Sequence, residues 1–210
     1  EKEVIGIYIS AHPLDDFKNE MIFCNATLKH LKEDLSKYEG VNLTFAAIIT
    51  DVQHRVSKAG KGWAMFTMED YGDSNDFRIF GEDYLRMKHF LTPNSFLFVR
   101  CTIQPGWTNK EGIKGEPRLK FTDFKLLHDI MDELCKKVTI RIQLQEIKED
   151  TILNLETILK NNPGKQSLNF TIWDAKEKIE VSLPSRNTKV KISNELLATL
   201  KSQQINFKLN

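Results

Sequence analysis

Three basic side chains surround a short glycine-containing turn near residue 60. Arg55, Lys58 and Lys61 lie in or beside segment 57–62, whose serine, lysine and glycine residues are typical of a hairpin turn. Basic side chains at such a tip can hold the phosphates of a nucleic acid, and lysine is equally common at a solvated tip. The sequence therefore predicts a phosphate-binding turn, with a solvated turn as the alternative.

Aromatic side chains near this turn could stack on unpaired bases. Trp63 begins the strand predicted after the turn, and Trp107 lies in a glycine- and lysine-rich loop, where an exposed ring is expected. Stacking is worth roughly 1–3 kcal/mol per base when the ring faces a binding groove. Most of the aromatic residues on the predicted strands are expected to fill the barrel instead; the set is Trp63, Phe66, Phe77, Phe80, Phe96, Phe98 and Phe121.

Further basic residues alternate with apolar ones on the predicted strands or lie in the loop that carries Trp107. Their side chains should point outward, either to contact nucleic acid or to form the charged face of a sheet. Phe96 and Phe98 either pack against a neighbouring helix or domain or join the binding face. The complete set of candidate nucleic-acid-binding residues is Arg55, Lys58, Lys61, Trp63, Arg78, Arg100, Trp107, Lys114, Arg118 and Lys120.

No group of residues predicts a catalytic or metal site. Acidic pairs such as Asp15-Asp16 and Glu82-Asp83 fall in predicted turns and at helix starts, where carboxylates cap helices and interact with the helix dipole. The 3 cysteines and 5 histidines are scattered, which argues against a zinc site or disulfides and fits a reducing cytoplasm. We therefore expect no catalytic residue, no metal and no cofactor in this chain.

Composition indicates a globular protein of one large or two small domains. The chain has 210 residues, of which 40% are hydrophobic and 28% charged, with a formal net charge of +1. This near-neutral charge excludes the strongly basic surface of a protein that binds duplex DNA by itself. No apolar stretch approaches the roughly 20 residues of a membrane helix. No signal peptide is visible, and a start at Glu1 rather than methionine suggests a fragment.

The periodicity of apolar residues predicts two domains that would position these side chains. Residues 1–40 are expected to form a linker and one helix. Residues 41–130 alternate with a period of two and predict three strands, a helix and two further strands, the order of a five-stranded OB-fold barrel. Residues 136–210 predict a small α+β domain with a final helix capped by Ser193. The predicted fold class is therefore mainly β or α+β.

Four segments resemble the bacterial DNA polymerase III alpha family, the C-family replicative polymerases. Residues 1–15 are similar to the family signature EKE-x-x-G-x-Y-x-S-x-H-P-L, and residues 60–70 to its turn and second strand KGKxMAFxTLED. Residues 80–84 stand where the family usually has FPEVY, with Gly81 in place of the proline. Residues 161–170 are similar to the segment xPGxxPVxL of the family's C-terminal domain.

The resemblance implies a C-terminal fragment of such a subunit, whose parent is a DNA-directed DNA polymerase (a nucleotidyltransferase) that uses Mg²⁺. In the family, the OB domain lies near the single-stranded template, and the C-terminal domain binds the tau subunit of the clamp loader. The catalytic aspartates and the motif that binds the sliding clamp lie upstream of the signature. We therefore expect this chain to guide single-stranded template DNA and to dock tau, without catalysing polymerisation.

Two other functions remain open from the residues alone. An OB barrel could bind RNA, as in the anticodon-binding domains of synthetases, although those proteins lack the signature of residues 1–15. The barrel could also be a structural spacer between the polymerase core and the clamp loader, which the near-neutral charge favours. Segment 166–170 loosely resembles a clamp-binding pentapeptide, but Leu168 and Phe170 are in register with Ile172, which indicates a buried strand.

Overall fold

The computed structural model describes residues 12–108 and 115–210, and the chain forms two compact units with the boundary between Ile130 and Met131. Residues 1–11 of the signature segment and the predicted site residue Lys114 lie outside the described residues. Two separate sheets are present, accompanied by short helices. The predicted fold class, mainly β or α+β, is confirmed.

The first unit contains a five-stranded antiparallel sheet with the strand order β3-β2-β1-β4-β5. Three strands, a helix and two further strands follow one another along the chain, in the order that the sequence predicts. The elements are α1 (Leu28–Lys32), β1 (Asn42–Val56), β2 (Gly62–Glu69), β3 (Ser74–Phe80), α2 (Gly81–Met87), β4 (Phe96–Gln104) and β5 (Arg118–Leu126).

Strand β1 is long enough to pair with two neighbours on different parts of its length. Its first half pairs with β4, and its second half pairs with β2. The register with β2 shifts between Ile49 and Asp51. A bulge of this kind bends the strand and increases its twist. The five strands therefore curl around a common core instead of forming a flat sheet.

The curled sheet closes through side chains, whereas the sequence predicts a hydrogen-bonded barrel. Among the described residues, no strand pairing joins β3 to β5. The ring of Phe77 on β3 instead lies 5.4 Å from the ring of Phe121 on β5, and Phe66 on β2 lies 5.9 Å from the same Phe121. Helix α2 also contacts both β3 and β5. Aromatic packing thus brings the two edges of the sheet together around the core.

Short helical turns precede β1, where the sequence predicts a single helix. They comprise α1 and turns of 3-10 helix at Pro13–Phe17, Glu20–Phe23 and Leu35–Tyr38. Helix α1 ends at Glu33 because the backbone of that residue is extended, with φ −74° and ψ −178°. Asp34 then caps the next turn by accepting a hydrogen bond from Ser36 N at 3.0 Å. The leucines whose spacing predicts one helix therefore lie in two separate elements, Leu28 and Leu31 in α1 and Leu35 in the next turn.

The second unit contains a four-stranded mixed sheet in the order β8-β7-β6-β9. Strands β6 and β7 are parallel, so they need a crossover connection, which helix α4 supplies. The side chain of Ser193 accepts a hydrogen bond from Leu196 N at 3.3 Å, and the predicted helix cap is thus confirmed. Helix α3 (Leu127–Leu134), which the sequence does not predict, contains the boundary at residues 130 and 131. The other elements of the second unit are β6 (Lys137–Gln143), α4 (Glu149–Lys160), β7 (Pro163–Asp174), β8 (Ile179–Val190), α5 (Asn194–Ser202) and β9 (Asn206–Leu209).

The segment that loosely resembles a clamp-binding pentapeptide lies within strand β7. Leu168 is 2% exposed and is paired with Val138 of the parallel neighbour β6. The prediction of a buried strand at this position is therefore confirmed. Within the described residues, every helix is too short or too polar to span a bilayer.

Candidate nucleic-acid interface

The outer face of strands β1, β2 and β3 carries two rows of side chains that cross the sheet. In the first row, Arg55 is paired with Trp63, which is paired with Phe80. In the second row, Met65 lies between Gln53 and Arg78. Successive residues of a strand point to opposite faces. Between these rows, Ala64 of β2 and Ile79 of β3 point inward and are part of the core, so both rows lie on the outer surface. We call this surface, formed by Arg55, Trp63, Met65, Arg78 and Phe80, the aromatic–basic face.

An aromatic pair lies at the centre of the first row. The rings of Trp63 and Phe80 are stacked, with centroids 5.3 Å apart and an interplanar angle of 20°. Phe80 is 57% exposed, so it is one of the strand aromatics that do not fill the interior. The sequence contains the signal that identifies it, because Phe80 follows Ile79, which is buried, on a strand with a period of two. Flat exposed rings of this kind are suited to stacking on bases.

The basic hairpin between β1 and β2 lies at one end of this face. Its turn is closed by two hydrogen bonds, from Ser57 N to Lys61 O and from Gly60 N to Ser57 O, both 2.9 Å long. Gly60 adopts a φ of +73°, a conformation that side chains with a Cβ rarely adopt. Lys58 and Lys61 are both exposed. The hairpin therefore holds two ammonium groups at a defined tip beside Arg55, whose guanidinium donates to Gln53 Oε1 at 2.6 Å.

The base of the hairpin is fixed to the helix that follows β3. His54 Nε2 lies 3.2 Å from the carbonyl oxygen of Leu91, which can only accept a hydrogen bond, so this nitrogen carries a proton. His54 Nδ1 lies 3.2 Å from the hydroxyl of Tyr84. The Tyr84 ring also covers Gly62, where an added Cβ would lie 2.6 Å from Tyr84 Cε1. These contacts hold both strands at the base of the hairpin against Tyr84 and Leu91.

Apart from Lys114, which lies outside the described residues, the remaining predicted site residues are exposed or half-buried at other places in the first unit. Arg100 lies on β4 with its guanidinium 5.6 Å from the ring centre of Phe98, between Thr44 and Asp123 in strand register. Trp107 is 68% exposed in the loop after β4. The strand register therefore brings together Arg55, Trp63 and Arg78, but it does not bring Arg100 or Trp107 to the same rows.

Two predicted basic residues lie on the edge strand β5. Arg118 and Lys120 are exposed, as their alternation with apolar neighbours predicts. Lys120 lines a shallow concavity together with Glu82 and Asp83 of helix α2. These carboxylates offset part of the attraction that Lys120 would exert on a phosphate. Arg86, which also lines this concavity, forms an ion pair with Asp83 at 2.9 Å, so Glu82 is the carboxylate there without this partner. Lys120 is thus a weaker candidate than the residues of the aromatic–basic face.

Phe96 contacts the helical turn of residues 13–17. The rings of Phe17 and Phe96 are 5.0 Å apart, and Phe98, two residues further along the same strand, is 1% exposed. Of the two alternatives for Phe96 and Phe98, packing against a neighbouring helix is therefore confirmed for Phe96. Neither ring is available as a surface for bases.

The end of the signature segment is attached to the turn between β2 and β3. The rings of His12 and Tyr71 are 4.4 Å apart, and the Tyr71 hydroxyl donates to Asp15 Oδ1 at 3.0 Å. The pKa of the Asp15 carboxyl is lowered, mainly by its hydrogen bond with Lys18. Burial, followed by the interaction with Asp15, raises the pKa of Tyr71 to about 12. This segment therefore stabilises the turn that connects β2 and β3, two of the three strands of the aromatic–basic face.

The acidic residues of the β2–β3 turn have structural partners. The carboxylate of Asp70 is buried and accepts hydrogen bonds from Leu28 N at 2.7 Å and from Gly72 N and Asp73 N at 3.0 Å each. Asp73 forms an ion pair with Lys32 at 2.7 Å. In the part of the chain that the structure describes, no three His, Cys, Asp or Glu side chains are grouped to hold a metal ion.

The second unit has an open apolar groove between helix α4 and the strands β7 and β8. Its volume is about 390 Å³, and apolar side chains form most of its walls. Ile152 on α4 is 54% exposed, and Leu183 on β8 is 45% exposed. Apolar surface that remains open in this way is typical of sites that bind another protein. We call this feature the α4–β8 groove.

The clearest similarity to a known protein family lies in the second unit. Residues 138–210 match the family model described as "DNA polymerase III alpha subunit, C-terminal domain". The resemblance that the sequence indicates is thereby confirmed for the region that contains the α4–β8 groove.

Individual relatives extend the similarity through the first unit, and all of those compared are DNA polymerase III subunits alpha. The subunit of Pseudomonas fluorescens is 22% identical over 179 residues, which cover 84% of this chain and 14% of the relative. That of Bacillus subtilis strain 168 is 21% identical over 188 residues, 88% of this chain and 15% of the relative. That of Pseudomonas aeruginosa is 20% identical over 206 residues, 97% of this chain and 16% of the relative. The chain thus spans only a small part of the length of these relatives.

Proposed function

We propose that this chain is the C-terminal part of the alpha subunit of a bacterial replicative DNA polymerase, in which the first unit is an OB-type domain that guides single-stranded template DNA. The second unit docks the tau subunit of the clamp loader. The strand order of the first unit supports the OB assignment, since OB folds bind oligonucleotides on the face of strands 2 and 3 and on the neighbouring loops. The aromatic–basic face occupies that position.

The stacked pair Trp63 and Phe80 carries the proposal for DNA binding. The Phe80 ring is exposed, and the Trp63 ring stacked on it is half-buried. With Arg55 and Arg78 on the same face, this pair can bind bases by stacking and phosphates by charge. Bases inside a duplex are already stacked on one another, so only a single strand can place its bases on these rings. The preference for single strands therefore follows from the exposed rings.

The charge of the chain predicts that this binding is weak. The net charge is only +1, and acidic residues lie close to several of the basic ones, as Glu82 and Asp83 do to Lys120. Because phosphate neutralisation supplies most of the non-specific affinity, few contacts give a low affinity and a small salt dependence. A weak site suits a domain that a larger assembly holds beside the template.

A titration of labelled oligothymidylate with the whole chain, followed by fluorescence anisotropy at low salt, tests the proposal. We expect tighter binding of the single strand than of a duplex of the same length. Replacing Phe80 by alanine should weaken binding by about 5- to 150-fold, the equivalent of roughly 1–3 kcal/mol for one stacked base.

Leu85→Ala is the matched control, because Leu85 is 61% exposed on helix α2 and lies outside the aromatic–basic face. This variant should bind as the parent does. No measurable binding of the parent, or equal binding by Phe80→Ala, would favour the spacer function. Tighter binding of oligouridylate than of oligothymidylate would favour the RNA-binding alternative.

A further inference from the structure

A second concave surface of the second unit lies apart from the α4–β8 groove and is lined by three lysines. Lys136 precedes strand β6, Lys165 lies near the start of β7, and Lys191 follows β8. The concavity has a volume of about 520 Å³ and contains one carboxylate, that of Asp132. The three lysines come from three separate parts of the chain. Their convergence is therefore a product of the tertiary structure.

A close approach of two backbones places Lys165 beside Lys191. Pro163 and Gln166 are both paired with Val190, so the two residues between them form a bulge in the ladder. In this bulge, a Cβ added to Gly164 would lie 2.2 Å from the backbone nitrogen of Lys191. Only glycine permits this approach. The bulge therefore directs the chain at Lys165 away from normal strand pairing and towards the concavity.

A buried glutamine connects the walls of the concavity. Gln166 is 9% exposed; its Oε1 accepts a hydrogen bond from Ile192 N at 3.3 Å, and its Nε2 donates to Asp132 Oδ1 at 3.4 Å. Ser167 N donates to the carbonyl oxygen of Lys136 at 2.9 Å. These contacts hold the backbones that carry the lysines in fixed positions. The backbone around the concavity is thus held in place by hydrogen bonds, and the lysine side chains are the groups that can change conformation.

We infer that this concavity, the tri-lysine site, binds phosphate groups. The lining residues carry three ammonium groups and one carboxylate, a formal charge of +2 (3 − 1), and the Lys136 ammonium also donates to the carbonyl oxygen of Glu133 at 2.5 Å. Like charges that converge on one cavity repel one another, and an anionic ligand removes this repulsion. Lysine binds phosphate as a compact point charge. The concavity is open and large enough to admit phosphate groups, either free as pyrophosphate or as neighbouring phosphodiesters of a nucleic acid.

Isothermal titration calorimetry of the whole chain with pyrophosphate at low salt tests this site independently of the proposed function. We expect binding of pyrophosphate that decreases about tenfold or more when Lys165 and Lys191 are both replaced by glutamine, as expected for the loss of charge-assisted hydrogen bonds. Lys165→Arg keeps the charge and should retain binding. Lys148→Gln with Lys208→Gln is the matched control, since both lysines are exposed in the same unit and lie outside the concavity.

The same variants separate the two sources of phosphate. If the Lys165 and Lys191 double variant also lowers the affinity for oligothymidylate and the salt dependence of binding, the ligand is the nucleic-acid backbone. If it affects pyrophosphate alone, the ligand is a free diphosphate. The inference is overturned if the parent does not bind pyrophosphate, if the control variant loses binding equally, or if the chain binds oligoglutamate at this site instead. Loss of pyrophosphate binding upon changing Arg55, Lys58 and Lys61 alone would also overturn it.

Discussion

Gly81 follows the exposed ring of Phe80 and has a backbone conformation that proline cannot adopt. Its φ is +57°, in the left-handed region, whereas proline is restricted to a φ near −65°. The family segment FPEVY, to which residues 80–84 are similar, has proline at this position, and a φ of +57° requires a different backbone path here. The glycine therefore helps to decide how the strand ends and how Phe80 is presented beside Trp63.

Substitution of Gly81 should destabilise the protein for a backbone reason. We expect Gly81→Ala to lower the free energy of unfolding by about 1–2 kcal/mol, because the left-handed conformation places a Cβ too close to the following carbonyl oxygen. Gly81→Pro should cost more. Nothing lies within 4 Å of a Cβ added at Gly81, so steric contact with neighbouring side chains does not explain the loss.

Gly72→Ala provides the control for this prediction. Gly72 also has no atom within 4 Å of an added Cβ, but its φ is not in the left-handed region. Urea denaturation of the three variants should therefore rank Gly72→Ala close to the parent and Gly81→Pro lowest. A stability of Gly81→Pro equal to that of the parent would show that the turn can adopt the backbone of the related polymerases.

Among the elements of the first unit, the β1–β2 hairpin contributes charge without contributing much to folding. Arg55, Lys58 and Lys61 are exposed, and the turn is closed by backbone hydrogen bonds that do not depend on their side chains. Contacts of exposed charged groups with one another are worth little in stability. The hairpin can therefore carry a cluster of basic residues whose main effect is on a ligand.

Replacing Arg55, Lys58 and Lys61 by alanine should flatten the salt dependence of single-strand binding. If each residue neutralises one phosphate, the three contribute about −2 to the slope of log affinity against log salt, at about −0.7 per phosphate. Phe80→Ala should instead weaken binding without changing this slope, because stacking releases no counterions. Anisotropy titrations at several salt concentrations separate the two effects.

A triple alanine variant of Lys29, Lys37 and Lys88 removes the same charge from exposed positions away from the hairpin. It should leave the slope close to that of the parent. Thermal unfolding should give similar midpoints for both triple variants. Equal slopes for the hairpin variant and the parent would mean that the hairpin is a solvated turn.

For the whole molecule, the two units carry surfaces of different chemistry. The aromatic–basic face of the first unit suits a nucleic acid, whereas the α4–β8 groove of the second unit suits an apolar segment of another protein. A chain with both surfaces can connect template DNA to a partner subunit. This combination is the physical basis of the proposal that the second unit docks tau.

Introducing charge into the α4–β8 groove should weaken docking of the clamp-loader tau subunit. We expect Ile152→Asp to reduce affinity for tau about tenfold or more, because burying an unpaired carboxylate in an apolar interface costs more than 1.4 kcal/mol. The parent and the variant can be compared by surface plasmon resonance. Ile152 is 54% exposed, so the substitution should leave the fold intact.

Leu153→Asp is the control for docking, because Leu153 is 55% exposed on the same helix but does not line the groove. It introduces the same charge and the same helix propensity one residue further along. Affinity for tau should remain that of the parent. Equal losses for the two variants would indicate that tau contacts another face of α4, and no binding of tau by the parent would refute docking by this unit.

Local alternation along each strand can be read from the sequence, and it determined several features of this protein. It predicts that Arg78, Arg118 and Lys120 point outward and that Leu168 is buried, since these properties depend only on the period-two geometry of a strand. The helix cap of Ser193 is likewise local, because donor and acceptor are three residues apart. Such features need no knowledge of which strands are neighbours.

Only the tertiary structure decided which exposed side chains meet. The stack of Trp63 on Phe80 depends on the register of β2 against β3, and the contact of Phe77 with Phe121 depends on the curvature of the whole sheet. The tri-lysine site likewise joins residues from three separate parts of the chain. Register and curvature result from the sum of many weak contacts between distant segments, and the local pattern around any one residue does not contain that sum.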